Sequence, residues 1–138
     1  VQKIFVVPDT ISPIWQIGSL PQNGQLYYLQ QFPQISLIAS DSLGFINTSS
    51  FNFKLITNVA EQNITENIES RFERTAIDNG SAVLFSYTHG SEAPEGSYSF
   101  AAKVSDLANN HATPNPFSGQ FFIDRTSPTI EFNIQSGL

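Results

Sequence analysis

Five acidic residues stand where turns or connections between domains are expected, and they are the residues best suited to chemistry. Turns and connections bring oxygen atoms from distant parts of a chain together. A calcium ion takes about six to eight oxygen ligands, several of them from carboxylates. Alternatively, each acidic side chain only caps the backbone of its own turn. The candidate calcium ligands are Asp9, Asp41, Glu95, Asp106 and Asp124.

No other pattern indicates catalysis or a cofactor. The chain has no cysteine, which excludes thiol nucleophiles and thiolate zinc sites. His89 and His111 have no second ligand at metal-binding spacing, so each is expected to be a solvated loop residue. No serine occupies a Gly-x-Ser-x-Gly turn. We therefore predict that the protein is not an enzyme and that calcium is its one candidate cofactor.

Aromatic residues offer a second type of site, a platform on which a sugar stacks. If the adjacent Tyr27 and Tyr28 lie in a strand, one of the two rings must point outward. Packing in the core is the competing explanation for each candidate. The residues in question are Trp15, Tyr27, Tyr28 and Tyr87.

The composition limits the partners. The 138 residues carry a net charge of −6 and include only six Lys and Arg, which cannot form a phosphate-binding stripe or a polybasic membrane surface. No apolar run reaches the roughly 18 residues that span a membrane. Nucleic-acid binding and membrane insertion are therefore not expected. The length suits one domain with a core, and the absence of a signal peptide or initiating Met suggests part of a longer chain.

The segment 94–110 predicts the central strand of the fold. Tyr98, Phe100, Ala102 and Val104 alternate with small or polar residues, as in a strand with one face in the core and one in water. The strand is followed by Asp-Leu-Ala-Asn-Asn, a turn-forming sequence in which Asn tolerates a left-handed backbone.

Short alternating segments occur along the rest of the chain. Strands are predicted near residues 13–18, 26–29, 34–40, 50–56, 81–87 and 117–123. The sequence Asp-Ser-Leu-Gly at 41–44 predicts a turn with Gly44 at a positive φ. Residues 58–77 are ambiguous, and we predict a strand near 71–77 preceded by irregular or helical structure. The pattern indicates an all-β sandwich of seven to eight antiparallel strands in two sheets.

One short sequence occurs near both ends of the chain. The motif Asp-x-x-Ser-Pro at residues 9–13 returns at 124–128, about 115 residues later, with apolar residues before and after it. We therefore predict a domain at 10–125, with residues 1–9 ending the preceding connection and 126–138 beginning the next repeat or a tail. Pro13 and Pro128 would set the path of the chain at these connections.

Three motifs resemble the bacterial immunoglobulin-like (Big-type) repeats of large surface proteins, including adhesins. Residues 95–98 resemble the acidic-Gly-x-Tyr motif before the penultimate strand. Residues 106–110 resemble the Asp-x-Ala-Gly-Asn that follows it, with Asn109 in place of Gly. Residues 9–13 and 124–128 resemble the Asp-x-Thr-x-Pro connections. The resemblance implies an immunoglobulin-like sandwich in which Gly96 and Tyr98 are structural.

The resemblance also implies a function. Such repeats are extracellular or cell-surface modules of bacteria that act as spacers or adhesive units, and some bind calcium at the connections between domains. The expected partners are neighbouring repeats of the same chain and a host-surface protein or glycan. The alternative is a carbohydrate-binding module with the same fold.

Overall fold

A sandwich of two β-sheets is formed by residues 8–19 and 28–125, the part of the chain that the computed structural model describes. The strands are β1 (Ile14–Ser19), β2 (Tyr28–Leu29), β3 (Ile35–Ser40), β4 (Ile46–Val59), β5 (Gln62–Asn67), β6 (Glu73–Ile77), β7 (Ala82–Tyr87), β8 (Gly96–Asp106) and β9 (Phe117–Ile123). Two 3-10 turns, Glu69–Arg71 and Asp78–Gly80, are the helical elements within these ranges. The predicted all-β sandwich is confirmed.

The order of the strands is that of an immunoglobulin sandwich. One sheet has the order β1-β3-β7-β6, and the other has the order β2-β9-β8-β4-β5. In chain order these are the A-B-E-D sheet and the G-F-C sheet, with β5 added on the C side and the short β2 added on the G side. All neighbours are antiparallel except β2 and β9, which pair in parallel over two residues.

The core consists largely of the aromatic residues at alternating strand positions. Phe51 of β4 and Phe85 of β7 belong to opposite sheets, and their rings stack with centroids 4.0 Å apart. Phe53 stacks on Phe100 of the neighbouring strand at 5.2 Å. Trp15 is buried, as its inward position in β1 predicts, and contacts Phe51 and Phe85 edge-on. The two sheets are therefore joined by direct ring contacts between Phe residues.

The prediction of irregular or helical structure before residue 71 is wrong for residues 58–67, whereas Glu69–Arg71 is a 3-10 turn. Strand β4 continues to Val59 and turns back as β5 through Ala60 and Glu61, with φ angles of 52° and 63°. These angles are those of a type I′ hairpin turn, which requires positive φ at both central positions, a conformation that Gly and Asn adopt most readily. Ala and Glu give no such signal, so the turn could not be seen in the sequence. The predicted strand near 71–77 is β6.

The start of β8 is fixed by a hydrogen bond and a close backbone contact. The Tyr98 hydroxyl donates to the carbonyl oxygen of Pro94 at 2.5 Å, the tyrosine corner of immunoglobulin folds. Burial raises the pKa of Tyr98 above its usual 10.0, so the hydroxyl keeps its proton at neutral pH. A Cβ on Gly96 would lie 2.4 Å from the carbonyl oxygen of Asn58. Both residues have the structural positions that the motif implies.

Removing the Tyr98 hydroxyl should destabilise the fold measurably. In Tyr98→Phe the part-buried hydrogen bond to the carbonyl of Pro94 is lost, while the ring remains stacked on Phe121 at 5.3 Å. We expect the free energy of unfolding in urea to fall by about 1 kcal/mol, with no change in the slope against urea concentration. An unchanged midpoint would show that the tyrosine corner contributes nothing here.

Candidate metal centre

The pairing of the strands shows that the chain enters β1 and leaves β9 at opposite ends of the sandwich. Ile14 at the start of β1 pairs with Ser40 at the end of β3, and Ile46 pairs with Asp106 at the end of β8. We call this end the amino-terminal pole. Ile123 pairs with Gly96 at the start of β8, which defines the carboxyl-terminal pole. The eleven residues of β8 separate the poles by roughly 33 Å at about 3.3 Å per residue.

Three carboxylates meet at the amino-terminal pole. Asp9 precedes β1, Asp41 follows β3 and Asp106 ends β8, and one oxygen of each lies within 4.8 Å of the others. Asp41 is 5% exposed and Asp106 is 1% exposed, whereas Asp9 is half-buried. Three anionic groups from distant parts of the sequence thus share one site that is largely closed to water.

Asn110 holds two of the three acidic residues in place. Its backbone N–H donates to Asp106 Oδ1 at 2.8 Å, and its side-chain amide donates to Asp106 Oδ2 at 3.0 Å. The same amide donates to the backbone carbonyl of Asp9 at 2.9 Å. Asn109 between them has a φ of 67°, the left-handed conformation expected of this turn. The turn therefore both orients Asp106 and attaches the segment before β1 to the sandwich.

The carboxylate of Asp41 is only partly satisfied. Its Oδ1 accepts a hydrogen bond from the N–H of Leu43 at 3.1 Å, but its Oδ2 is buried and has no hydrogen-bond partner. A Cβ on Gly44 would lie 2.8 Å from Asp9 Oδ2 and 3.1 Å from Asp41 Oδ2. A larger residue at position 44 would therefore displace the Asp9 and Asp41 carboxylates. The prediction that Gly44 takes a positive φ is wrong, because Gly80 and Gly96 are the described glycines at positive φ.

The electrostatics of the site favour a cation. Burial raises the pKa of Asp41, and contact with the Asp106 carboxyl and the charge of Asp9 raise it further. Hydrogen bonds from the N–H groups of Leu43 and Gly44 lower this pKa but do not cancel the increase. Burial would also raise the pKa of Asp106, but hydrogen bonds from Asn110, together with side-chain contacts to Asp41 and Asp9, outweigh it, and that pKa is lowered. The ion pairs Arg71–Glu66 and Arg125–Glu92 lie elsewhere. A bound cation would relieve the repulsion and give Asp41 Oδ2 a partner.

The structure does not bring the other two predicted ligands to this site. Glu95 Oε1 accepts a hydrogen bond from the N–H of Arg125 at 2.7 Å, and the N–H of Asp124 donates to the carbonyl of Leu29 at 2.8 Å. Both residues lie at the carboxyl-terminal pole. Pro13 is buried at the amino-terminal pole, where its carbonyl accepts the N–H of Thr113 at 2.9 Å. Pro128 lies outside the described residues.

A cavity of about 590 Å³ is present at the carboxyl-terminal pole. His89 lines it, stacks on Phe32 with centroids 4.7 Å apart and shares a hydrogen bond of 2.8 Å with the Tyr87 hydroxyl. His89 is therefore packed rather than a solvated loop residue, whereas His111 is exposed. The cavity is lined by Gln30, Gln31, Phe32, His89, Gly90, Ser91, Glu92, Ala93 and Arg125.

The aromatic residues predicted as a sugar platform do not form one where they are described. Trp15 and Tyr87 are 6% and 7% exposed, so their faces are occupied by the core. Tyr27 and the side chain of Tyr28 lie outside the described residues. Trp15 and Tyr87, the two candidates whose side chains the structure describes, therefore pack in the core and are not available to a sugar.

Comparison of the sequence with protein-family models and with curated proteins finds no match. Within the described ranges, no helix has the length and apolar character needed to cross a membrane.

Proposed function

We propose that the chain is an immunoglobulin-like structural module of a long bacterial cell-surface or secreted protein, and that calcium bound by Asp9, Asp41 and Asp106 stiffens its amino-terminal connection. The observation that carries the proposal is the position of Asp9. This residue belongs to the segment that leads into β1, yet its carboxylate lies within 4.8 Å of two carboxylates of the sandwich. An ion held by all three would tie the connecting segment to the domain.

The donor set favours calcium over other metals. The cluster offers carboxylate oxygens and no nitrogen or sulfur ligand, which suits hard cations and disfavours zinc or copper. Magnesium demands a near-ideal octahedral arrangement, whereas calcium accepts irregular sets of oxygens. Backbone carbonyls and water would supply the remaining ligands.

The positions of the poles suit a spacer. The chain reaches β1 at one pole and leaves β9 at the other, so modules of this kind joined in sequence would be arranged end to end. A connection that can swivel gives a flexible string. An ion that fixes Asp9 to the ends of β3 and β8 removes part of that freedom, and the row becomes a semi-rigid stalk. Such a stalk would hold an adhesive unit away from the cell.

Calcium should raise the melting temperature of the protein. An ion that binds only the folded state adds about 2.7 kcal/mol when its concentration is a hundredfold above its dissociation constant. The measurement is a thermal melt in millimolar calcium, in millimolar magnesium and with a chelator, together with calorimetric titration of calcium. A melting temperature that is the same in calcium and in chelator would reject the metal site.

The alternative of a carbohydrate-binding module has weaker support. Trp15 and Tyr87 are buried in the core. The cavity at the carboxyl-terminal pole has several polar lining residues. Phe32, which also lines it, is covered by His89 on one face and contacted edge-on by Tyr98 and Phe121. No broad aromatic face is therefore presented to a sugar ring in the described structure.

A further inference from the structure

Exposed apolar side chains are concentrated at the amino-terminal pole. Six of the eight large apolar residues that are exposed in residues 8–19 and 28–125 lie at this end, and the remaining two, Ile56 and Ile64, lie on the β4–β5 hairpin. Apolar groups gathered in one region of a surface mark interaction sites, whereas scattered ones need no explanation. The six residues at the pole are Ile11, Ile14, Leu43, Phe45, Ile77 and Leu107.

Four of these residues surround the carboxylate cluster, and we call them the apolar rim. Leu43 and Phe45 belong to the same loop as Asp41, and Leu107 directly follows Asp106. Leu43 is 59%, Phe45 50% and Leu107 66% exposed. The N–H of Leu107 donates to the carbonyl of Phe45 at 2.9 Å, which joins the two loops. The fourth member is Ile11, whose N–H donates to Asp9 Oδ1 at 2.9 Å.

We propose that the apolar rim is a docking surface for the carboxyl-terminal pole of a second module of this kind, and that calcium makes the contact possible. The inference deepens the proposed function and rests on it. The partner follows from continuity, because Asp9 is both a member of the carboxylate cluster and part of the connecting segment. The same Asp-x-x-Ser-Pro sequence that precedes β1 follows β9 along the chain, so the segments before and after the sandwich share one sequence motif.

The carboxyl-terminal pole offers space for apolar side chains of a second module. The carboxyl-terminal pole contains the cavity of about 590 Å³, with Phe32 and His89 in its wall. This volume can accept exposed side chains such as Leu43 or Leu107 from a second copy. The contact would be head to tail, since it joins two different surfaces of the same module.

The charges explain why the contact should depend on calcium. The apolar rim encloses three carboxylates, and the cavity is flanked by Glu92 and Glu95, while Arg125 is already engaged by Glu92 and the carbonyl of Ala93. Two acidic poles brought together repel each other in the absence of a cation. Calcium in the cluster removes most of the negative charge on one side.

The test is self-association of the full chain, measured by sedimentation velocity from micromolar to millimolar protein, in calcium and in chelator. We expect association in calcium that is lost in chelator. NMR spectra of labelled protein should show shifts at both poles, at the rim and around Phe32 and His89. A Phe45→Ser/Leu107→Ser variant should associate at least about tenfold more weakly, with its calcium-induced rise in melting temperature unchanged. The matched control, Ile56→Ser/Ile64→Ser, should associate like the parent.

Each alternative result contradicts a defined part of the inference. A chain that remains monomeric in calcium while its melting temperature rises overturns the docking surface and leaves the metal site standing. Equal association in calcium and chelator, with no change in melting temperature, overturns both the metal site and the calcium dependence. Shifts confined to the amino-terminal pole would mean rim-to-rim pairing and overturn the head-to-tail contact. Equal weakening by the control variant would also overturn it.

Discussion

With calcium removed by a chelator, the Asp41→Asn variant should melt at a higher temperature than the parent protein. The reason is that Asp41 is 95% buried beside two other carboxylates, and its Oδ2 has no hydrogen-bond partner. An amide keeps the acceptor for the N–H of Leu43, removes one negative charge and offers an N–H to the remaining carboxylates. We expect a gain of about 1–2 kcal/mol, within the range for relieving a buried unsatisfied group.

The expected gain in stability of Asp41→Asn follows from the pKa of Asp41, which is raised above its usual 3.8. The folded state holds this proton more tightly than the unfolded state, so stability falls as the pH rises from 3.8 through the folded pKa. The cost is absent below 3.8 and is complete once the pH is above the folded pKa. The advantage of Asp41→Asn in chelator should therefore shrink as the pH is lowered, as thermal melts at several pH values would show.

Calcium should reverse the order of the two proteins. The parent gains stability from the ion, whereas Asp41→Asn has lost one carboxylate ligand and should gain little or nothing. Asp78→Asn serves as the matched control, because Asp78 is an exposed residue of a turn at the same pole. It should behave like the parent in both solutions. A variant that is less stable than the parent in chelator, or that keeps the full calcium response, would contradict the metal centre described above.

The largest loss of stability is expected for Phe85→Ala. Phe85 is fully buried, stacks on Phe51 at 4.0 Å and contacts Trp15 edge-on at 6.3 Å. Because the ring bridges the two sheets, its removal leaves a cavity that neither sheet can fill alone. We expect a loss of about 3–5 kcal/mol, a large part of the 5–15 kcal/mol typical of a domain. Equilibrium unfolding in urea measures it.

Phe45→Ala provides the comparison for this change. The same atoms are removed, but Phe45 is 50% exposed at the amino-terminal pole. Its loss should cost less than about 1 kcal/mol, as is usual for surface positions. If the two variants were destabilised equally, the ring contacts between the sheets would not be what holds the sandwich together.

The parts of the fold that the sequence predicted are those with a simple alternation. Phe51, Phe53 and Leu55 recur at every second position, as do Val83, Phe85 and Tyr87, and all of them are buried. Strands β3, β7 and β9 begin and end within a residue of their predicted limits. When one face of a strand lies in the core, the alternation of apolar and polar residues shows which side chains point inward.

Strand β5 was missed because the same information is lacking there. Every residue of β5 is exposed, so no alternation marks it as a strand. Strand β6 is equally exposed, and its prediction depended on the Asp-Asn-Gly turn that follows it. Ile68 and Phe72 are buried, and their spacing of four residues is also typical of a helix. In the structure they flank a 3-10 turn. The turn at Ala60 and Glu61 depends on cross-strand pairing with β4, which lies outside the reach of local sequence signals.

The candidate site shows the same division. The acidic residues were recognisable one by one, because Asp in a turn is a common pattern. Which of them meet depends on the topology, which places the ends of β3 and β8 beside the start of β1 and leaves Glu95 and Asp124 at the other pole. Asn110 and Gly44 were not identified as site residues. Asn110 makes a hydrogen bond to Asp9, a residue 101 positions away in the sequence, and Gly44 leaves room beside two carboxylates. Both roles depend on the three-dimensional arrangement of distant segments.

The parallel pairing of β2 with β9 has a mechanical consequence. Leu29 pairs with Ile123, and the N–H of Asp124 adds a further bond to the Leu29 carbonyl, just where the chain leaves the sandwich. A force pulling the two ends of the domain apart acts along these strands, so the hydrogen bonds between β2 and β9 and between β1 and β3 are strained in shear and must break together. Resistance to stretching should therefore greatly exceed that of a hairpin peeled open one bond at a time.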